Sequence, residues 1–367
     1  MTAAIIVQTA SGQYELVERS IPDPGPGGAV IRVEACGICG SEVELLQGLL
    51  FEHLLPIAPG HEVVGRIHTI GKDAARRWGV GVDDRVAVMS RLRCGLCRGC
   101  VSGLRCDDLQ PGEPGSYGWR NPSIDPGLWG GFATHMYLAP GSIVVPMNGD
   151  VSLAAASLFN PLANGIEWAI RAGGVQALDS VVVLGCGPQG LGCVVAAGHA
   201  GAAEVVVTGV SGDQMRLDMA ERLGAKAAVE MTSTDPVDVI QGRLDDEPAV
   251  VIDTSPSAET LTTAIELVRP AGVIVVSGFK RGDVRLTESI ARDLVAKGVT
   301  IKGGRSKGLD SLNRAIRLIQ TDEASLQRIS TNAFPLAEAL RAVELFGGLH
   351  DGIRRPHVRI EPGLERT

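Results

Sequence analysis

Val181-Val-Val-Leu-Gly185-Cys-Gly187-Pro-Gln-Gly190-Leu-Gly192 is the stretch that decides the fold of the second half of the chain. Its short run of apolar, mostly β-branched residues predicts a buried strand, and the glycines that follow carry Gly-x-Gly-x-x-Gly spacing. Such a turn aims free backbone N–H groups and the positive end of the next helix at one point, where a pyrophosphate binds. Glycines alone only ease a tight turn, so the flanking pattern decides. Strands are predicted at Ser180–Leu184, Glu204–Thr208, Val250–Asp253, Val273–Ser277 and Val299–Lys302. They alternate with helices at Gln214–Leu223, Ala258–Val268 and Ser289–Ala296, and one more helix follows at Leu309–Gln320. That alternation is the βαβ rhythm of a doubly wound parallel sheet, an α/β fold. The expected dinucleotide contacts are Gly185, Gly187, Pro188, Gln189 and Gly190 in the turn, with Ser277 at the end of a later strand.

The end of the next strand bears on which dinucleotide fits. An acidic residue about 20 positions beyond the glycines holds the ribose hydroxyls of NAD. Here the chain reads Val207-Thr208-Gly209-Val210-Ser211-Gly212-Asp213. Gly209 leaves room for a 2′-phosphate, Ser211 offers a hydrogen bond and Arg216, one helical turn on, offers charge. The alternatives are that Arg216 is an exposed helix residue and that Asp213 serves NAD or caps its helix. The expected cofactor is NADP or NAD, with a lean to NADP.

Outward from this region the texture changes. Residues 1 to about 155 are rich in glycine and proline, with short apolar runs at Ala29–Ala35, Val63–Ile70 and Arg85–Met89, which predicts a β-rich domain. A hinge is expected near Pro161 to Ala172. A chain of 367 residues suggests two domains, and 45% hydrophobic with 21% charged residues excludes a disordered chain. A net charge of -8 argues against nucleic-acid or acidic-membrane partners, which need a dominant basic field. No apolar run reaches the ~18 residues of a membrane span and the N-terminus lacks a signal-peptide pattern, so the cytoplasm is expected, where reduced thiols remain available for metal.

Within the first domain, Cys94, Cys97, Cys100 and Cys106 fall inside thirteen residues, about 91–107 forming one lobe. Four thiolates at that spacing wrap a tetrahedral zinc and leave no open position, so the lobe is structural. A second set, Cys36-Gly-Ile-Cys39-Gly-Ser41-Glu42-Val-Glu44 followed by Pro59-Gly60-His61-Glu62, offers the thiolate, imidazole and carboxylate that zinc selects.

These four ordered motifs run over essentially the whole length, and the chain resembles the zinc-dependent medium-chain alcohol, polyol and sugar dehydrogenases. The resemblance implies a GroES-like catalytic domain over 1–160, a Rossmann domain over 161–302 and a return to the catalytic domain over 303–367. It implies Cys39 and His61 as catalytic zinc ligands, Glu62 beside the metal, and Ser41 as the hydroxyl that relays the substrate proton. Cys36 is then packing, and His53, His68, His135, His199, His350 and His357 are surface or structural histidines. It further implies a small-molecule substrate and a homodimer or homotetramer.

Three positions depart from the family. The third zinc ligand precedes a Pro-Leu pair in relatives, and here that residue is Asn160, a neutral and poorer ligand. Asn160 binds through its carbonyl, or Glu62 moves inward, or the site has lost its metal. Glu44 stands where a relay histidine is common, and the gap from Cys100 to Cys106 is shorter than usual, which strains the lobe. A metal-free quinone or enoyl-type reductase using NADPH and a non-catalytic nucleotide-binding protein are the competing functions.

Overall fold

The computed structural model describes residues 1–50, 52–102, 106, 115–231 and 236–365. Contacts within the chain divide it into two units, one of residues 1–158, 319–349 and 357–367, the other of residues 159–318 and 350–356.

The first unit opens with β1 (Thr2–Ala10) and β2 (Gln13–Ser20), an antiparallel hairpin. It continues with β3 (Ala29–Gly37), β4 (Glu62–Ile70), β5 (Arg85–Val88), β6 (His135–Leu138) and β7 (Val144–Pro146). These runs are short and rich in valine and isoleucine, the residues that fit a half-buried pleated surface. The main sheet of this unit packs Ile31, Val33, Val63 and Ile67 against Phe132, Phe346 and the hairpin's Ile5. Each such side chain withdrawn from water is worth roughly 1.5–3 kcal/mol.

The second unit carries β8 (Ser180–Leu184), β9 (Glu204–Gly209), β10 (Ala227–Glu230), β11 (Val250–Asp253), β12 (Val273–Ser277) and β13 (Thr300–Gly304). All pair in parallel in the order β10-β9-β8-β11-β12-β13. β8 is buried at every position, as expected of a central parallel strand covered on both faces. The helix Pro188–His199 starts on its proline, whose fixed φ suits a first turn. Gly185 sits at φ +101°, a conformation that side chains disfavour, and turns the chain from β8 into that helix.

The chain returns to the first unit with β14 (Asn332–Phe334) and β15 (Val358–Ile360), completing the sheet order β14-β15-β3-β4-β5-β7, with β6 beside β3. The register sets Glu62 of β4 and Arg359 of β15 opposite Gly37 of β3 on its two sides.

Four differences from the sequence expectation have physical reasons. β13 and the helix Leu309–Thr321 as far as Leu318 extend the second unit beyond residue 302, with β13 pairing to β12 as far as Gly304. Residues 350–356 rejoin that unit through Arg354, whose N–H donates to Gly212 O at 2.8 Å, a contact no local pattern announces. The expected hinge is helical, running through Phe159–Gly165 into a π-helical segment, Ile166–Ala172. Finally, β10 is only four residues long, with two alanines and a single β-branched residue, too short a run for the sequence to reveal.

Candidate active site

Cys39 follows β3 at the N-terminus of the helix Gly40–Leu46, and His61 stands immediately before β4. Glu42, buried in the first turn of that helix, joins them: one ligand atom each of Cys39, Glu42 and His61 lie within 4.8 Å of one another. Glu42 Oε1 is 2.6 Å from His61 Nδ1, and Oε2 accepts from the Cys39 N–H at 3.1 Å and from Ser41 Oγ at 3.3 Å. A carboxylate only accepts, so Nδ1 carries a proton, and in the neutral ring Nε2 presents its lone pair. Nε2 lies 3.8 Å from Glu62 Oε1.

Burial works to lower the His61 pKa, but the charges of Glu42 and Cys39 outweigh it and hold the imidazole well above its ordinary value. The cluster therefore attracts positive charge at Nε2. A sulfur, a tautomer-fixed imidazole and buried carboxylates that jointly call for a cation fit zinc. Trp119 walls the cluster, its ring centroid 5.8 Å from that of His61. Tyr117 and Trp129, from the same aromatic segment, are instead buried and stack on each other. Cys36 is fully buried, and desolvation pushes its thiol well up, as suits a packing role.

The cysteine lobe is built differently. The Sγ atoms of Cys94, Cys97, Cys100 and Cys106 all lie within 4.8 Å of one another, so the short last gap does not keep them apart. Backbone N–H groups of Leu96 and Cys97 point at Cys94 Sγ at 3.4 and 3.2 Å, and that of Cys100 at Cys97 Sγ at 3.3 Å. Such donors stabilise thiolates that hold a metal.

In the second unit, Asn160 is not waiting for a metal. Its Oδ1 accepts from Nζ of Lys307, itself buried. An ammonium on that oxygen repels a divalent cation, which counts against Asn160 as a zinc ligand. Asn164 binds the same segment, accepting from the Lys307 N–H at 3.0 Å and donating to Gln189 Oε1 at 2.9 Å.

The dinucleotide motif is assembled as its spacing requires, with Gly187 as the helix N-cap and Pro188 as the first helical residue. Ser277 is buried and donates to the Asp253 carbonyl at 3.1 Å. Arg216 departs from both expectations held for it: it is buried, donating from Nη1 to Asp213 Oδ1 at 3.2 Å and from Nε to the Arg355 carbonyl at 2.9 Å. Asp213 Oδ2 accepts from the Val210 N–H at 3.1 Å, so both of its oxygens face inward. A different cation stands at the end of β9: Arg354 donates to the Ser211 carbonyl at 3.2 Å and lies 3.4 Å from Asp213 Oδ2.

Residues 25–149 match the family model for the alcohol dehydrogenase GroES-like domain, and residues 188–321 match that for zinc-binding dehydrogenases. A probable alcohol dehydrogenase of Mycobacterium tuberculosis is 35% identical, over 93% of this chain and 94% of its own length. The chain is a zinc-type medium-chain dehydrogenase.

This dehydrogenase is also 28% identical to an erythritol/L-threitol dehydrogenase of Mycolicibacterium smegmatis, over 93% of each. Its fold is that of an alcohol dehydrogenase from Thermotoga maritima, with TM-score 0.83 and 23% identity over 98% of this chain and 99% of the other. It is an oxidoreductase of the alcohol and polyol class that uses zinc and a nicotinamide cofactor. No helix among its described residues is long and apolar enough to cross a membrane.

The sequence passed over three functional groups in this dehydrogenase. Glu42 was detectable, because a metal-binding histidine gives its second N–H to a carboxylate and Glu42 lies three residues beyond Cys39. Lys307 and Arg354 were not, since each meets its partners across more than 135 residues of chain.

Proposed function

We propose that the dehydrogenase moves a hydride between a secondary alcohol, polyol or sugar-like substrate, or the matching ketone, and the nicotinamide. The meeting of Cys39 and His61, with the His61 tautomer set by Glu42, carries this reading. A metal-free reductase has no use for a buried cluster that draws a cation to Nε2.

Zinc, when bound, supplies the Lewis acidity that lowers the pKa of a substrate hydroxyl. Cys39, His61 and Glu62 are the residues that would hold it, with Asn160 engaged by Lys307. Glu42 fixes the imidazole by accepting its Nδ1–H and anchors the helix start by accepting the Cys39 N–H. Ser41 Oγ, partly exposed and 3.3 Å from Glu42 Oε2, receives the proton of the substrate hydroxyl and releases it to solvent. Cys94, Cys97, Cys100 and Cys106 hold a second zinc that keeps the lobe in shape.

For the cofactor the lean is to NADP. Gly209 ends β9 without an acid, Asp213 is turned inward, and Arg354 rather than Arg216 supplies the charge. Free thiols on all eight cysteines suit a reducing compartment, the cytoplasm. Self-association is supported by β13, an edge strand with most residues exposed, and by exposed Phe279, Val284, Leu286, Val295 and Ile301 nearby in sequence.

A panel of simple alcohols, polyols and sugars assayed with each cofactor tests the reading. Turnover of none, by protein carrying two zinc ions per chain, overturns it.

A further inference from the structure

His357, set aside by the sequence as a structural histidine, is completely buried just ahead of β15. Its Nδ1 lies 2.8 Å from Ser330 Oγ, and that oxygen also accepts from Arg359 Nη1 at 2.9 Å. A hydroxyl oxygen accepts up to two hydrogen bonds and donates one, so Ser330 with Arg359 on it serves either tautomer; the carboxylate of Glu62 on the Nε2 side only accepts, which selects the arrangement with the Ser330 proton pointing at Nδ1. Nδ1 is then the acceptor and the proton of the neutral ring sits on Nε2.

The register across the three strands says where that proton points. Gly37 of β3 stands between Glu62 of β4 and Arg359 of β15. A Cβ on Gly37 would lie 2.7 Å from Glu62 Oε2 and 2.9 Å from His357 Nε2, so the two side chains reach over the glycine from opposite sides toward one point. Both atoms are buried, no hydrogen bond joins them directly, and Nε2 has no other hydrogen-bond partner among the described residues. The space that Gly37 leaves open is where the two groups meet, directly or through one water. The other oxygen of Glu62, Oε1, faces His61 Nε2 at 3.8 Å.

We propose that His357 is a positioning residue, its Nε2–H gripping the rear oxygen of Glu62 across Gly37 so that the front oxygen is presented to the metal centre. The proposal rests on the centre of Cys39, His61 and Glu62 put forward above. The chain Arg359 to Ser330 to His357 to Glu62 thereby ties the returning strand β15 to the ligand set, and Gly37 is required because any side chain there fills the meeting point.

The full-length enzyme is loaded with Co(II) in place of zinc, and its visible d–d spectrum and metal affinity by chelator competition are read beside kcat and KM. In His357→Phe the spectrum shifts, metal affinity at the centre and kcat each fall about tenfold, and the cofactor KM stays within about twofold. His357→Gln, which keeps an N–H donor, restores most of the loss. Gly37→Ala keeps His357 but sets a methyl against both Glu62 Oε2 and His357 Nε2, so it should also shift the spectrum; Ser330→Ala, which removes the partner of His357 Nδ1 without meeting Glu62, decides if His357→Phe does not fold. Spectra unchanged in both His357→Phe and Gly37→Ala, with Glu62→Gln still shifting, overturn the role of His357 and leave the centre standing. A Glu62→Gln spectrum identical to wild type overturns the proposal by removing Glu62 from the metal. Wild-type enzyme that takes up metal only in the cysteine lobe overturns the centre and the proposal together.

Discussion

The cysteine lobe and the cluster of Cys39, Glu42 and His61 each bring candidate ligand atoms within 4.8 Å of one another, yet they are made by opposite means. In the lobe all four groups come from thirteen consecutive residues and are oriented by amides of the same segment. In the centre the groups sit at the ends of different strands, and their orientation comes from carboxylates and, as inferred above, from a histidine almost 300 residues away in sequence. A site made from one segment is closed and serves shape, whereas a site suspended between strands keeps an open face for substrate.

Removing a ligand from each is the strongest way to break that contrast. Cys39→Ser should lower turnover on the order of 10³-fold, because zinc contributes several kcal/mol to the transition state. It should also reduce zinc from two ions per chain to one by elemental analysis. Cys94→Ser should likewise lose one ion, but its main effect should be a fall in thermal midpoint, since structural zinc contributes folding free energy. Equal loss of turnover in both variants, at a temperature where both are folded, would show that the lobe serves chemistry as well as shape.

Orientation by a carboxylate is the next point of contrast. Glu42→Gln keeps the size of the side chain and removes its charge, so the centre should bind zinc about 10- to 100-fold more weakly while the lobe stays loaded. Metal content after graded chelation checks this; a centre that resists chelation as well as wild type would mean that Glu42 does not orient His61.

This difference in construction is also why one half of the site was legible in sequence and the other was not. The βαβ rhythm, the Gly185–Gly190 turn and the cysteine lobe are local patterns, and local patterns survive in a single chain. The row of Glu62, Gly37 and Arg359 exists only once β4, β3 and β15 have paired, and β15 returns from the far end of the sequence. Asn160 was recognised as anomalous, but its partner Lys307 lies in the irregular segment between β13 and the helix Leu309–Thr321, which carries no motif. Arg216 was misjudged for a related reason: burial of a helical arginine depends on what packs above it, here the carbonyl of Arg355.

A pH experiment sharpens the comparison further. With the centre stripped of metal, Glu42 and Cys39 raise the His61 pKa against its burial, so the folded state binds a proton more tightly than the unfolded chain does. That stabilisation is complete below the reference value of 6.5 and is lost as pH rises through the folded value. The thermal midpoint of chelated protein should therefore drop relative to the zinc-loaded form as pH rises above neutrality. A constant difference between the two forms from pH 6 to 9 would count against the negative character of the cluster.

The smallest effect expected is at the cofactor, where distant segments again supply what the local motif lacks. Arg354 reaches the end of β9 from the segment 350–356, donates to the Ser211 carbonyl and pairs with Asp213 Oδ2 at 3.4 Å, while Asp213 also takes up Arg216 and the Val210 N–H. A half-buried arginine in that position attracts a 2′-phosphate, and nothing acidic at Gly209 repels one. Arg354→Ala should raise the KM for NADP by several-fold to tenfold, equivalent to about 1 kcal/mol for a half-buried charge-assisted contact, and leave the KM for NAD little changed. Arg216→Ala, by contrast, should lower the thermal midpoint and weaken both cofactors alike, because it removes a buried brace beneath the same loop. Should Arg216→Ala be the variant that selectively loses NADP, the charge would belong to the residue next to the motif, and the rule that distant segments complete the open sites would fail here.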